Sequence, residues 1–539
     1  MLAVELAVGE SEAMLPARSA QAIGIEPGHV LGLSIARRAL DARRRGRRSL
    51  LKFVYHVDLE LSASLRSPAL DRALRAGRAR IVPPPARFAL EDVPSEVRAR
   101  RVAVVGSGPA GLYAAWCLAA NGVAVDLIER GPALRERSRA VSRFTRTREL
   151  DPEANLLFGE GGAGTYSDGK LYTRTTHALE APILETLVEA GAPPEIRFDA
   201  RAHVGTDRLH RILPALRSRL EAMGVRFHFG TRLEGLVLAQ SGETASPRHV
   251  RALRTTQGEI PCDAVFLALG HSARDTIAAL AAEGLAVEAK PFQIGLRIEH
   301  PQALVDAGRY GEARDPARLG HAYYALVAKP RSEGALGVHS FCMCPGGQVV
   351  AAVAQPGLLC TNGMSNSRHS SPFANSGLVV TLGPKEYGGD VFDGWRLQER
   401  LEAAFFTAGG GDYHVPAQRV PDFLAGRESA SLPRGSCKLG QTPARIDALL
   451  PETMTAALRD AIRRFDGEIP GYAGEEGLLV GIESRSSGPL RMTRDPVARH
   501  SLAFENVYPV GEGAGHAGGI MSAAIDGARS AWAFLGRPD

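Results

Sequence analysis

Apolar residues occur in short solid runs and in helix-spaced stretches that alternate along most of the chain. Arg101–Val105 is a solid run, the pattern of a strand buried on both faces of a parallel sheet. A glycine turn follows, then an Ala/Leu-rich stretch, Ala110–Asn121, that reads as a helix closed by Gly122. Val123–Ile128 predicts the next strand and ends at Glu129. Ser138–Leu150 is polar and reads as loop and helix, and His177–Ala222 reads mainly as helix. Gly224–Leu238 predicts a pair of strands and Pro261–Gly270 another buried strand. The helix after it has Ser272 as its expected N-cap.

Strand-like segments dominate from Lys290 to about Gly474, with helical patterns over 395–409 and 451–465 and a polar loop expected over 361–377. A strand, Val507–Val510, and a helix from Ile520 close the chain. Before the linker Val82–Glu96, with its three consecutive prolines, the first 81 residues form a module of their own. There 28–36 predicts a strand turning into helix, 36–48 helix into turn, 50–61 a strand and 67–77 a short helix. The expected fold class is α/β: an N-terminal α+β module (1–81), a linker (82–98), a Rossmann-like nucleotide-binding domain in two parts (99–289 and 476–539), and a mixed-sheet substrate or cap domain (290–475) inserted between them.

The turn after the first strand carries Gly106, Gly108 and Gly111 in the order G-x-G-x-x-G, with Ser107, Pro109 and Ala110 between them. The three glycines suit a tight turn, backbone approach to a pyrophosphate, and close helix–strand packing. Glu129, followed by Arg130, stands about 20 residues on, where an acid accepts from a ribose hydroxyl and repels a 2′-phosphate. The dinucleotide is therefore FAD or NAD rather than NADP. Phe158–Leu171 interleaves Gly159, Gly161, Gly162, Gly164 and Gly169 with Thr165, Ser167, Asp168 and Lys170, a backbone able to press on a ligand with polar handles between. Gly270 ends a strand that returns beside the nucleotide. In the tail, Gly511 and Glu512 can meet a ribityl hydroxyl. Gly518, Gly519 and Ile520 open a helix whose N-terminus suits negative charge at the N1/O2 edge of a flavin. NAD has no use for such a piece, so the tail points to FAD.

Composition changes little. The 539 residues are 45% hydrophobic and 23% charged, ordinary globular values that allow about three domains. The six cysteines form no secreted disulfide framework. The first residues carry acids where a signal peptide needs bases, and no apolar run approaches a membrane span, so a cytoplasmic location without membrane contact is expected. The net charge of +5 is uneven: Arg37, Arg38, Arg43, Arg44, Arg45, Arg47 and Arg48 crowd one stretch, either a solvated basic face or a docking face for an anionic partner such as RNA, a nucleotide or another protein.

Five segments, VGSGPAGLYAA, FGEGGAGTYSDGKL, FCMCPGGQVV, GIESRSSGPLRMTRD and VGEGAGHAGGIMSAAIDG, together resemble the bacterial uncharacterised FAD-dependent dehydrogenase (NAD(P)/FAD-dependent oxidoreductase) family, over nearly the whole chain. The resemblance implies a glutathione-reductase-like FAD fold, with FAD held at Gly106–Gly111, Glu129, the Gly159–Lys170 loop and Gly511–Ile520. It implies no substrate.

With one nucleotide fingerprint only, NAD(P)H can serve as a transient electron donor but has no fingerprint of its own. Candidate catalytic groups are His516, between the two tail glycine turns, which either donates a proton or bonds the flavin ring or else makes a structural contact to a backbone carbonyl, and Cys342 and Cys344, which share one face of a regular strand. The cysteines read as a flavin-linked dithiol, half a metal site, or two small buried residues, and no metal is expected. Glu483, Arg485 and Arg491 either line a pocket for an anion or form an ion-pair network, and Lys438 is a weaker candidate. The expected function is an FAD-dependent oxidoreductase acting on a small molecule. The alternatives are a flavin-dependent RNA-modifying enzyme and a non-catalytic flavin-binding protein.

Overall fold

The structure is a computed structural model that describes residues 2–42, 44–45, 48–49, 51–239, 248–311 and 319–537, leaving aside the side chains of residues 2, 44, 45, 48 and 49. Its centre is a five-stranded parallel sheet in the order Val507–Pro509, Ala264–Leu267, Arg101–Val105, Ala124–Ile128, Arg226–His228. The apolar runs pair here because both of their faces are covered, and Val102 to Val105 are all buried. The helix Pro109–Ala120 covers one face, and the tail helix Ile520–Phe534 packs against it. Small residues permit that packing: a Cβ on Gly527 would overlap the Ala110 carbonyl. Two helices from opposite ends of the domain thus bring their N-termini together at one edge of the sheet.

The insert is built on a seven-stranded sheet in the order Val327–Ala328, Val338–Cys344, Phe373–Leu382, Phe292–Pro301, Leu478–Glu483, Val415–Arg419, Gln441–Pro443. All neighbours are antiparallel except the last pair. The helices Asp393–Ala408 and Glu452–Glu468 bury Leu401, Phe405, Leu458, Ile462 and Phe465 against it. Leu478–Glu483, which the sequence division puts after residue 475, hydrogen-bonds in the middle of this sheet.

Several local expectations give way to pairing. Val30–Asp41 is one continuous strand, not strand then helix, because Ile35 and Leu40 face Val57 and Phe53 on Lys52–Leu61. The rest of the expected helix is a short pairing of Arg44–Arg45 with Arg48–Ser49. Arg43 and Arg47 lie outside the described residues, so only Arg37 and Arg38 of the arginine cluster have described side chains. Arg38 is no free docking group. Its guanidinium pairs with Asp199 at 3.1 Å, and its backbone exchanges hydrogen bonds with Phe198 and Ala200 of the nucleotide domain. The paired strands expected over 224–238 belong to two sheets: Arg226–His228 joins the parallel one, whereas Leu233–Leu238 pairs with Val250–Thr255. The polar loop expected over 361–377 is mostly strand, with Thr361–Ser365 paired to Gly347–Ala351. Ser272 caps nothing; the helix after it starts at Arg274, with Ala273 at the N-cap position.

Candidate functional site

One cleft runs along the C-terminal ends of the parallel strands and on to the inserted sheet. At one end stand Glu129, Arg130 and Thr231; in the middle Gly106, Gly108–Ala110, Gly270 and Gly511; at the far end Gly162–Gly164, Ser167, Glu512 and Gly518–Ile520, facing Phe341, Cys342 and Asn362. Ligands of open parallel sheets bind beyond such strand ends.

The turn is built for close approach. Gly106 has a φ of +107°, and a Cβ on Gly111 would overlap the carbonyl oxygen of Gly106. The helices Pro109–Ala120 and Ile520–Phe534 have Gly108 and Gly519 at their N-caps with no side-chain cap, so their first N–H groups are left for a ligand. A Cβ on Gly270, Gly518 or Gly519 would meet no protein atom within 4 Å; the space beside these backbones is the cleft itself. That cradle, with two uncapped helix N-termini about a long channel, fits a dinucleotide with a flat ring system at its far end.

Glu129 is buried and already engaged. Its carboxylate accepts from Ser107 N and Oγ (3.0 and 2.7 Å) and from the amides of Gly131 and Gly159 (3.0 and 3.1 Å). It therefore ties the first turn to the second glycine loop as well as lining the cleft. Arg130 stacks 3.9 Å over the Phe158 ring and bonds Glu153 and Asp275.

Not every expected residue reaches the cleft. Ser107, Gly111, Gly161, Thr165, Asp168, Gly169, Lys170 and Cys344 do not line it. Ser107 and Thr165 hold the loop's backbone instead, Ser107 Oγ accepting from Gly161 N and Thr165 Oγ1 donating to Glu160 O. His516 is a correction of another kind. Its Nε2 bonds the Met492 carbonyl at 3.0 Å, it is absent from the cleft wall, and burial beside Arg494 pushes it down to about 4. With Nε2 spent on a backbone carbonyl and the ring off the cleft wall, nothing aims it at a substrate. Its folded value lies below its ordinary one, so its contribution to stability is full above about 6.5 and falls as pH drops towards 4. His516→Ala is expected to cost about 1 kcal/mol in a urea melt. It is also expected to leave the pH dependence of any turnover between 5 and 8 unchanged.

Four residues matter more than the sequence reading allowed. Arg137 is fully buried; it donates to the carbonyls of Asn155, Gly159, Glu160 and Gly162 and to Thr165, and so shapes the second glycine loop. Its signal was available: it shares the buried face of its helix with Leu134, Ala140 and Phe144. His271 follows Gly270 at the strand end and faces Glu512, 3.9 Å away, with burial and Arg485 pushing it down to about 3. Arg485 lines the cleft and is held by Glu402, which also receives Arg274 at 3.0 Å. Burial alone would raise Glu402, but the two guanidiniums outweigh it and bring it down to about 2. Both expectations for Arg485 thus hold together: it lines the pocket and belongs to an ion-pair network. Glu483 pairs with Arg297 inside the sheet, Arg491 pairs with Glu288 at the surface, and Lys438 is exposed and off the cleft.

Behind Cys342 lies a polar node. Lys170 Nζ sits 2.5 Å from Asp168, which also bonds His203 at 2.9 Å and Ser365. The ring of His203 stacks on that of His369. Asp168, His203 and His369 are gathered closely enough to hold a metal ion, but the carboxylate already has a lysine ammonium for its cation.

The cleft and its glycine frame define a dinucleotide-binding protein of the FAD type. Residues 99–265 match the family described as FAD binding domain, and residues 291–486 match FAD-dependent protein, C-terminal domain-like. An uncharacterized protein of Clostridium beijerinckii is 36% identical over 531 residues, spanning 98% of this chain and 97% of that one. The chain belongs to this family of FAD-dependent proteins, and its cofactor is FAD. Among solved structures it is similar to L-proline dehydrogenase from P. horikoshii (12% identity, 80% of this chain and 92% of that one, TM-score 0.34). It is similar too to CtdE in complex with FAD (11% identity, 80% and 84%, TM-score 0.30). Among the described residues no helix is long and apolar enough to cross a membrane.

Proposed function

We propose that the chain is an oxidoreductase that uses FAD to oxidise or reduce a small molecule. The observation that carries this reading is the continuity of the cleft. It runs from the Gly106–Gly111 turn past Glu512 to a chamber walled by Phe341, Cys342, Asn362 and Arg485 of the insert. A protein that only stored the cofactor would need no second domain over the ring end.

In this reading Glu129 receives the ribose hydroxyls, the N-terminus of Pro109–Ala120 the pyrophosphate, Glu512 the ribityl chain, and Gly518–Ile520 the flavin edge. Bound FAD supplies two-electron chemistry. The protein orients the substrate against the ring, and Arg485 gives the chamber a fixed positive charge that favours an anionic substrate. NAD(P)H serves as a transient donor. RNA is the weaker reading, since Arg38 is spent on Asp199.

Anaerobic mixing of the yellow holoprotein with NADH and with NADPH, followed by oxygen or a quinone, tests the proposal. Bleaching by one donor and recovery with an acceptor is expected. A folded protein that stays colourless when titrated with FAD would falsify the whole reading.

A further inference from the structure

We infer that Cys342 and Cys344 form a redox-active dithiol that exchanges two electrons with FAD bound in the cleft, with Lys170 positioned to hold the attacking sulfur charged. This rests on the FAD reading above and adds to it a named electron relay.

The geometry is unusual for two structural cysteines. Cys342 forms part of the wall of the same cleft that Glu512 and Gly518–Ile520 line. Cys344 is fully buried behind it. Lys170 Nζ lies 3.6 Å from one Sγ and 3.5 Å from the other. Cys344 donates to the Cys342 carbonyl at 3.3 Å. The strand is not regular here. Between the pairs Phe341–Gly377 and Cys344–Asn375 it carries one extra residue, and Cys342 takes a φ of +46°. A left-handed non-glycine residue in a bulge is costly and recurs where a side chain must be aimed. Residues two apart in a straight strand span at most about 7 Å, at the edge of the Cα separations of about 4.4–6.8 Å that a disulfide bridges. The bulge bends the chain and shortens that span.

The electrostatics agree. A side-chain contact between the two thiols, distinct from the bond to the carbonyl, lowers Cys342 against the burial that raises it, and the Lys170 ammonium and Arg297 add to the lowering; the same contact and burial push Cys344 up. A half-buried, lowered thiol on the cleft wall beside a raised, fully buried one is the asymmetry of an attacking and a resolving cysteine. In the forward step the Cys342 thiolate and the Cys344 thiol form one S–S bond, and the Cys344 S–H bond breaks. Two electrons pass to FAD with two protons, one from Cys344 and one from solvent, giving FADH2. In the reverse step FADH2 returns them and the disulfide opens. No other oxidant or reductant enters the balance.

Two measurements test this. In an anaerobic dithionite titration of the oxidised holoprotein, the wild type is expected to take up four electrons per bound flavin, two for each two-electron couple. Cys342→Ser and Cys344→Ser are each expected to take up two, and Cys437→Ser, whose thiol lies off the cleft, four. Counting per bound flavin keeps the result readable if a variant loses part of its FAD. Uptake of two electrons by the wild type overturns the dithiol and leaves the flavoprotein reading standing, and a drop in Cys437→Ser would move the couple elsewhere and overturn the assignment. The second measurement needs no flavin. Iodoacetamide labelling of Cys342, mapped by mass spectrometry in flavin-free protein, is expected to proceed at mildly acidic pH and to slow about tenfold there in Lys170→Met. An unchanged labelling profile in that variant removes Lys170 from the role.

Discussion

Glu402→Leu is expected to be the most damaging single change in the protein. The carboxylate is fully buried and accepts from both Arg274 and Arg485, with Ser484 Oγ donating as well at 2.6 Å. Breaking a buried pair by removing one partner costs about 3–5 kcal/mol, because the other charge stays buried and unmatched. Here Arg485 loses its carboxylate partner and Arg274 keeps only the part-exposed Glu399. The loss is comparable to the whole stability of an ordinary domain, so an insoluble or partly unfolded product is expected. Glu399→Leu is the control. Glu399 reaches the same Arg274 at 3.3 Å, but its side chain is 41% exposed, and exposed pairs contribute about 0–1 kcal/mol. Urea melts of the two variants should differ accordingly, and similar midpoints would show that the network is dispensable. The sign with pH follows from the lowered carboxyl: its contribution is full above about 4.5 and is lost as pH falls towards about 2. Because Arg485 lines the cleft, conditions that weaken this network should also loosen the chamber wall.

The second large effect separates two glycines of one motif. Alanine in place of glycine inside a helix normally gains about 0.5–1 kcal/mol. At Gly111 the new methyl would overlap the Gly106 carbonyl, so Gly111→Ala is expected to destabilise the flavin-free protein by about 1–3 kcal/mol, the scale of overpacking. Gly108 is different. Its φ is −71°, and the nearest atom to a Cβ there is Gly162 Cα at 4.0 Å. Gly108→Ala should melt like wild type without FAD yet bind FAD at least about tenfold more weakly, a loss of about 1.4 kcal/mol. Thermal melts with and without added FAD separate the two cases. Unchanged FAD affinity in Gly108→Ala would mean that the pyrophosphate lies elsewhere.

The nucleotide domain was legible because its signals are local. A solid apolar run, three glycines at fixed spacing and an acid one strand later determine a turn whatever surrounds it. The tail was legible for the same reason, as strand, glycine turn and helix in close succession. The inserted sheet was less so. Leu478–Glu483 was not read as a strand, and nothing in its own residues tells that it pairs with Phe292–Pro301, nearly two hundred positions earlier. The N-terminal strand Val30–Asp41 was misread because its polar half owes its conformation to cross-strand partners, not to its own propensity. Among the candidate site residues, Glu512, Gly519 and Cys342 follow from position in a motif. His516 stayed open between a catalytic role and a backbone contact because spacing places a residue near a ring without saying which way its nitrogen turns; the structure has the backbone contact. Arg137 went unnoticed because in an arginine-rich stretch a single inward arginine looks like its neighbours until its helical face is counted.

The clasp between Arg38 and the Phe198–Ala200 backbone bears on what the first 81 residues are for. A chain cut at its proline linker would keep the parallel sheet and the cleft. It would also bare the Phe198 carbonyl and the Ala200 amide, along with Asp199 stripped of its arginine. Truncation at the linker is therefore expected to cost the larger body a bridge and an ion pair while leaving its cofactor cleft in place.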